Sequence, residues 1–146
     1  MADFGLGGII AAVDKKNHEE ELKNLINRDC LPYAHDTWDH KVWTELVNVR
    51  GQFNAWLIKE KRTITELPPS LFLNLCAIDG ATFVNQSDGE ILAFGAITKI
   101  KEGDPDQGAR TTAAKFLSKK FGPVLEISED RNVTLFNKGE LIGRIW

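Results

Sequence analysis

Residues 79–129 read DGATFVNQSDGEILAFGAITKIKEGDPDQGARTTAAKFLSKKFGPVLEISE. The segment opens on Asp79-Gly80-Ala81, an acidic turn, and continues into a strand pattern over Thr82–Asn85. Ser87-Asp88-Gly89 supplies hairpin-turn chemistry ahead of a second apolar run, Glu90–Thr98. A polar loop over residues 101–108, KEGDPDQG, leads to a helix expected over Arg110–Phe121. Ala113, Ala114, Leu117 and Phe121 form its inward stripe, and Gly122-Pro123 stops it. A strand over Val124–Ser128 then ends at Glu129-Asp130. Folded back on itself, this order brings two acidic turns and a helix N-terminus to one rim of a sheet.

Towards the C-terminus the same grammar continues. Asn132–Phe136 and Glu140–Ile145 read as strands joined by Asn137-Lys138-Gly139, a tight-turn sequence. Towards the N-terminus, Pro68-Pro69-Ser70 breaks the chain, and the apolar run Leu71–Ile78 has the length of a strand. Upstream of the prolines the period changes to that of a helix. Trp38, Val42, Leu46, Val49, Phe53 and Trp56 keep one face apolar, with Trp43 and Leu57 widening it and Asp36 or Thr37 as cap. An earlier helix is expected from Asn17, its N-cap, with Glu20 at the capping-box spacing and Leu22, Leu25 and Ile26 inward. Residues 4–13, FGLGGIIAAV, lead into a short strand or docking segment. The expected architecture is a single α/β (α+β) domain over residues 1–146, a mixed central sheet flanked by helices. Residues 1–67 form a mainly helical half and residues 71–146 the core that carries the site.

Composition narrows the function classes. The chain has 146 residues, 42% hydrophobic and 27% charged, which suits one domain with its own core. A net charge of -3 gives no footprint for long nucleic acid. No stretch approaches the roughly 18 apolar residues of a membrane span. Met1-Ala2-Asp3-Phe4 lacks the basic start of a signal peptide, and Cys30 and Cys76 form neither a metal spacing nor a disulfide framework. A cytoplasmic location is the expectation.

Several short patterns admit a functional and a structural reading. Gly5-Leu6-Gly7-Gly8 follows no strand and lacks the third glycine of a dinucleotide loop, so it reads as a lead-in. Trp38, Trp43 and Trp56 suit a base-stacking platform, but aromatic residues at helical spacing belong more often to a core. His35, Asp36, Asp39 and His40 suggest metal, yet the histidines miss the spacing that puts two ligands on one helix face. The strongest chemistry lies at Gly108-Ala109-Arg110-Thr111-Thr112. Backbone N–H groups, hydroxyls and a guanidinium gather there at the positive end of a helix dipole, an anion site by construction. Asp79 and Glu129, each at a strand end, are candidate ligands for a divalent cation accompanying phosphates. The competing account is that Asp-Gly, Thr-Thr and Ser-Glu-Asp are common turn and cap sequences.

The order of these motifs resembles the diadenylate cyclase (DAC) domains of the DisA N-terminal type. The counterparts are Ile78-Asp79-Gly80-Ala81, then Gly108-Ala109-Arg110-Thr111-Thr112-Ala113-Ala114, then Ile127-Ser128-Glu129-Asp130. Val133–Leu141 resembles the family's last hairpin, so the likeness covers roughly residues 72–145. That family converts two ATP molecules to cyclic di-AMP between facing protomers. By resemblance, Asp79 holds a metal (Mg2+ or Mn2+) and activates the attacking hydroxyl, Glu129 holds metal as well, and an Arg-His-Arg run grips the triphosphate. Gly80, Ala81, Gly108, Ala109, Arg110, Thr111 and Thr112 complete the implied ligand-binding set. The sequence departs from the pattern where Thr111 replaces the histidine and Thr112 the second arginine. A clamp for a polyanion thereby loses a permanent cation and a titratable donor.

Three function readings follow from this resemblance and its defect. The first is a catalytically degenerate, DAC-like sensor that binds an adenine nucleotide or cyclic dinucleotide in bacterial signalling or defence, as a homo-oligomer or fused to an effector domain. The second is an active diadenylate cyclase in which Lys99, Lys101 or Lys115 replaces the lost contacts. The third is a structural or interaction domain.

Overall fold

A computed structural model describes residues 7–25, 60–76, 80–96, 108–130 and 132–145. In chain order its elements are β1 (Gly8–Val13), α1 (Lys15–Leu25), a short 3-10 turn (Ile64–Glu66), α2 (Pro69–Cys76), β2 (Ala81–Asn85), β3 (Ile91–Ala96), α3 (Ala109–Phe121), β4 (Val124–Ile127), β5 (Val133–Asn137) and β6 (Glu140–Arg144). The strands form one six-stranded sheet in the order β3-β2-β1-β4-β5-β6. It is mixed: β1 runs parallel to β2 and antiparallel to β4, and the remaining pairs are antiparallel. The expected α+β class, a mixed sheet with helices against it, is therefore what the chain adopts.

Alternation along the strands separates two apolar faces. On one, Ile9, Ala11, Val13, Ala81, Phe83, Val124 and Phe136 pack with Ala114, Leu117 and Phe121 of α3 and Leu22 of α1. On the other, α2 brings Leu75 to Ile91 and Phe94, while Cys76 meets Ile127 with Ile10 and Val133 alongside. β1 is central to both. Its residues reach the sheet from the N-terminal half of the chain, so the sheet is not confined to residues 71–146.

The expected hairpin forms between β2 and β3. Asp88 Oδ1 accepts from the Glu90 amide at 2.9 Å and from Asn85 Nδ2 at 3.0 Å, and Gly89 takes φ 77°. Lys15 at the start of α1 ties to the same turn, donating to both Glu90 carboxylate oxygens at 3.1 and 3.2 Å. The β5–β6 turn likewise forms at Lys138-Gly139, both at positive φ. It is held by buried Ser118 of α3: its carbonyl accepts from the Lys138 amide at 3.1 Å, and its hydroxyl accepts from the Gly139 amide at 3.0 Å. Gly139 is half-buried and Lys138 exposed, so each bond contributes modestly, about 0.5–1.5 kcal/mol, and together they fix the hairpin against the helix.

Two expected elements are corrected. Leu71–Ile78 is not a strand; its described part belongs to helix α2, Pro69–Cys76. Pro69 opens that helix, where its fixed φ and missing N–H cost nothing, and the Leu71 and Phe72 amides bond back to Pro68 O. The apolar residues then sort by helical turns: Leu75 and Cys76 are buried and Leu71 and Phe72 half-buried. α1 begins at Lys15 rather than near Asn17, with the Asp14 carbonyl accepting from the Asn17 and His18 amides. The Asn17 side chain bonds Asp14 Oδ2 at 2.7 Å instead of capping, and His18 (φ -126°, ψ 16°) kinks the helix. The acidic run Glu19–Glu21 thus follows the kink. The amphipathic stretch over residues 36–57, His35, His40, Cys30 and residues 101–107 lie outside the described residues.

Cys76 gives this packing a chemical reporter. Burial pushes its thiol from the ordinary 9.0 up to about 11, a hydrogen bond to Thr82 opposing the shift. Because the folded value is the higher, the neutral thiol's contribution to stability is complete below about pH 9 and is lost as pH rises through about 11. In a Cys30→Ser background, Cys76 is expected to resist a thiol reagent at pH 8 unless denaturant is added; fast modification of the native protein at that pH would contradict the helix packing.

Candidate functional site

The strand directions gather several ends on one rim. Register pairs Gly8 with Ile127, Ile9 with Ala81, Ala81 with Ala96 and Ile127 with Val133. The starts of β1, β2 and β5 and the ends of β3 and β4 therefore lie side by side. α3 leads directly into β4 through Gly122-Pro123, so its N-terminus returns to the same rim.

Gly108 is the N-cap of α3 (φ -61°, ψ 153°), with no side-chain cap and open space where a Cβ would stand. The first-turn amides have no acceptor within the helix by its geometry. Arg110, half-buried, lies against the backbone of Gly7 so closely that a Cβ there would overlap its guanidinium. Its Nη2 is 3.7 Å from Glu129 Oε1, and the Glu129 side chain is 73% exposed. An ion pair that open to solvent contributes about 0–1 kcal/mol. It places Glu129 beside the helix start more than it anchors it.

Thr111 has a partner that the motif reading did not anticipate. Its hydroxyl donates to Glu126 Oε1 at 2.7 Å, and Glu126 is only 8% exposed. Glu126 sits on β4 at an inward position between Leu125 and Ile127, and it reaches the start of α3 from beneath. A carboxylate there is favoured by the positive end of the helix dipole. The sequence signal was available: an acid at the core-facing phase of a short apolar strand needs a partner.

The remaining expected residues fall as follows. Gly80 adopts φ 105°, and a Cβ would stand 2.7 Å from the Ala96 carbonyl oxygen, so the close approach of β3 alone requires glycine there. Ala81 is buried in the sheet core, where its side chain packs rather than faces a ligand. Ala109 is exposed and Thr112 half-exposed on the first turn of α3. Asp79 lies outside the described residues. Of the two acids expected to hold a cation, Glu129 is thus the described one, and it is paired with Arg110. Among the described residues no three His, Cys, Asp or Glu side chains converge in a metal-holding group. No family model matches the chain, and no curated protein matches it.

The Thr111–Glu126 bond is testable by itself. Thr111→Val keeps the shape and removes the donor, leaving a nearly buried carboxylate without its hydroxyl partner. Urea unfolding is expected to show a loss of about 1–3 kcal/mol at neutral pH. An unchanged midpoint would mean that Glu126 does not depend on Thr111.

Proposed function

We propose that the chain is a nucleotide-binding sensor domain of diadenylate-cyclase-like design that binds its ligand at the start of α3 without cyclising it. The observation that carries this reading is the uncapped N-terminus at Gly108 with the half-buried Arg110 and Thr112 in its first turn, set on the rim where β2 begins and β4 ends. Free N–H groups and a guanidinium are the standard equipment for phosphate oxygens. The charge balance refines it. Among the described residues, one guanidinium and two carboxylates, Glu126 and Glu129, stand around this helix start, so a bare polyanion meets repulsion from them. A nucleotide arriving with a divalent cation does not, and Asp79 and Glu129 are the acids that would hold that cation. Catalysis is disfavoured because, of the Arg-His-Arg positions, the clamp retains Arg110 alone, and Thr111 is already engaged by Glu126.

A second reading is favoured by those same internal bonds. Where Glu126 and Glu129 serve the helix dipole, the rim is self-sufficient and the domain is a structural or interaction module. Calorimetric titration separates the two. With magnesium present, ATP or cyclic di-AMP is expected to bind, and Arg110→Ala is expected to weaken binding about 10–100-fold, as loss of a charged hydrogen bond implies. No heat from the folded protein with either ligand would overturn the sensor reading. Chromatographic detection of cyclic di-AMP after incubation with ATP and manganese would instead establish the cyclase.

A further inference from the structure

One residue of the glycine-rich lead-in, Gly7, meets the start of α3. A Cβ at this position would overlap the Arg110 guanidinium, and the atoms it would meet are Nη1, Cζ and Nη2. Cζ, the centre of the plane, would be met nearly as closely as Nη1 and more closely than Nη2. Gly7 therefore lies against the flat face of the group and not at an edge. The register agrees: Gly8 pairs with Ile127, which sets Gly7 beside the end of β4, close to Glu129.

Face and edge differ in consequence. A guanidinium donates only within its plane, through five N–H groups, and its face carries none. Support from Gly7 thus consumes no donor. At one edge Nη2 stands 3.7 Å from the exposed Glu129 carboxylate, so this part of the plane reaches the open side of the rim. Gly7 also differs from Gly80. At Gly80 a Cβ would strike the backbone of Gly95 and Ala96, which cannot yield without moving β3. At Gly7 it would strike the far end of a flexible side chain, so alanine there displaces the guanidinium and spares the sheet.

We propose that Gly7 is a positioning residue for the anion site, seating the Arg110 guanidinium flat against the start of β1 with its N–H edges left for phosphate oxygens. The inference rests on the sensor reading and adds to it the residue that preorganises the site's cation. An arginine already seated has less rotamer freedom to lose when a ligand binds.

Calorimetric titration of the full chain with magnesium-ATP and with cyclic di-AMP tests it. Gly7→Ala is expected to weaken binding about 2–10-fold, the scale of one long side chain's ordering. In an Arg110→Lys background, which keeps the charge but puts no plane on Gly7, the same change is expected to alter affinity by less than about twofold. A readout without ligand checks the contact itself: Arg110→Lys is expected to move the Gly7 amide resonance, and Gly7→Ala the Arg110 Nε–Hε resonance. Parent affinity in Gly7→Ala, an equal loss in the Arg110→Lys background, or a Gly7 resonance indifferent to Arg110→Lys would overturn the positioning role and leave the sensor reading standing. A folded parent that binds neither ligand would overturn both.

Discussion

The sheet depends on β1 lying between β2 and β4. β2–β3 is one hairpin and β4–β5–β6 a separate antiparallel meander, and nothing in their own turns joins them into a single sheet. Gly8–Val13 does so, pairing in parallel with β2 over Ile9–Val13 and antiparallel with β4 over Gly8–Ala11. Ala11 and Val13 are fully buried, and small side chains at Ala11, Ala81 and Ala114 let α3 approach the sheet closely. Parallel pairing of segments so distant in sequence carries a large loop-closure cost that the buried area must offset. The rim that gathers the start of β2 and the end of β4 is a consequence of this one insertion.

On that rim, dipole, guanidinium and carboxylates are balanced within the protein. Glu126 lies nearly buried under the first turn of α3, and Glu129 stands in solvent beside Arg110. Their environments set different strengths. The Thr111–Glu126 bond is shielded and therefore strong, whereas the Arg110–Glu129 pair is open, weakened by salt and readily exchanged. A ligand that engages Arg110 displaces only the weak partner. Among the described residues the start of α3 thus keeps a shielded partner in Glu126, while its guanidinium is held only weakly, which is what the proposed reversible binding would draw on.

Much of the second half was legible because its signals are local. Ser87-Asp88-Gly89 and Lys138-Gly139 specify turns by their own chemistry, and Ala114, Leu117 and Phe121 mark the buried stripe of α3. The strand reading of Leu71–Ile78 failed for a physical reason: a short apolar run broken only at Asn74 shows no clear period, and Pro69 at the first helical position is the signal that favours helix over strand. β1 was legible as a short strand but not as the central one, since its two partners lie about 70 and 115 residues away and pairing is non-local. At the site, the helix start, Arg110 and Glu129 could be read from order and spacing. Glu126 could not be read from motif shape, because its role comes from the phase of β4 beneath α3. Gly80 was read as part of a ligand motif, yet the approach of Ala96 already accounts for it.

Amide chemical-shift mapping of the nitrogen-15-labelled chain during titration with magnesium-ATP tests the placement of the ligand most directly. The expected result is a saturable set of shifts concentrated on Gly108, Ala109, Arg110, Thr111 and Thr112, with Gly7 and Glu129 following. Saturable shifts confined to another part of the sheet, or none at any ligand concentration, would contradict a nucleotide site at the start of α3.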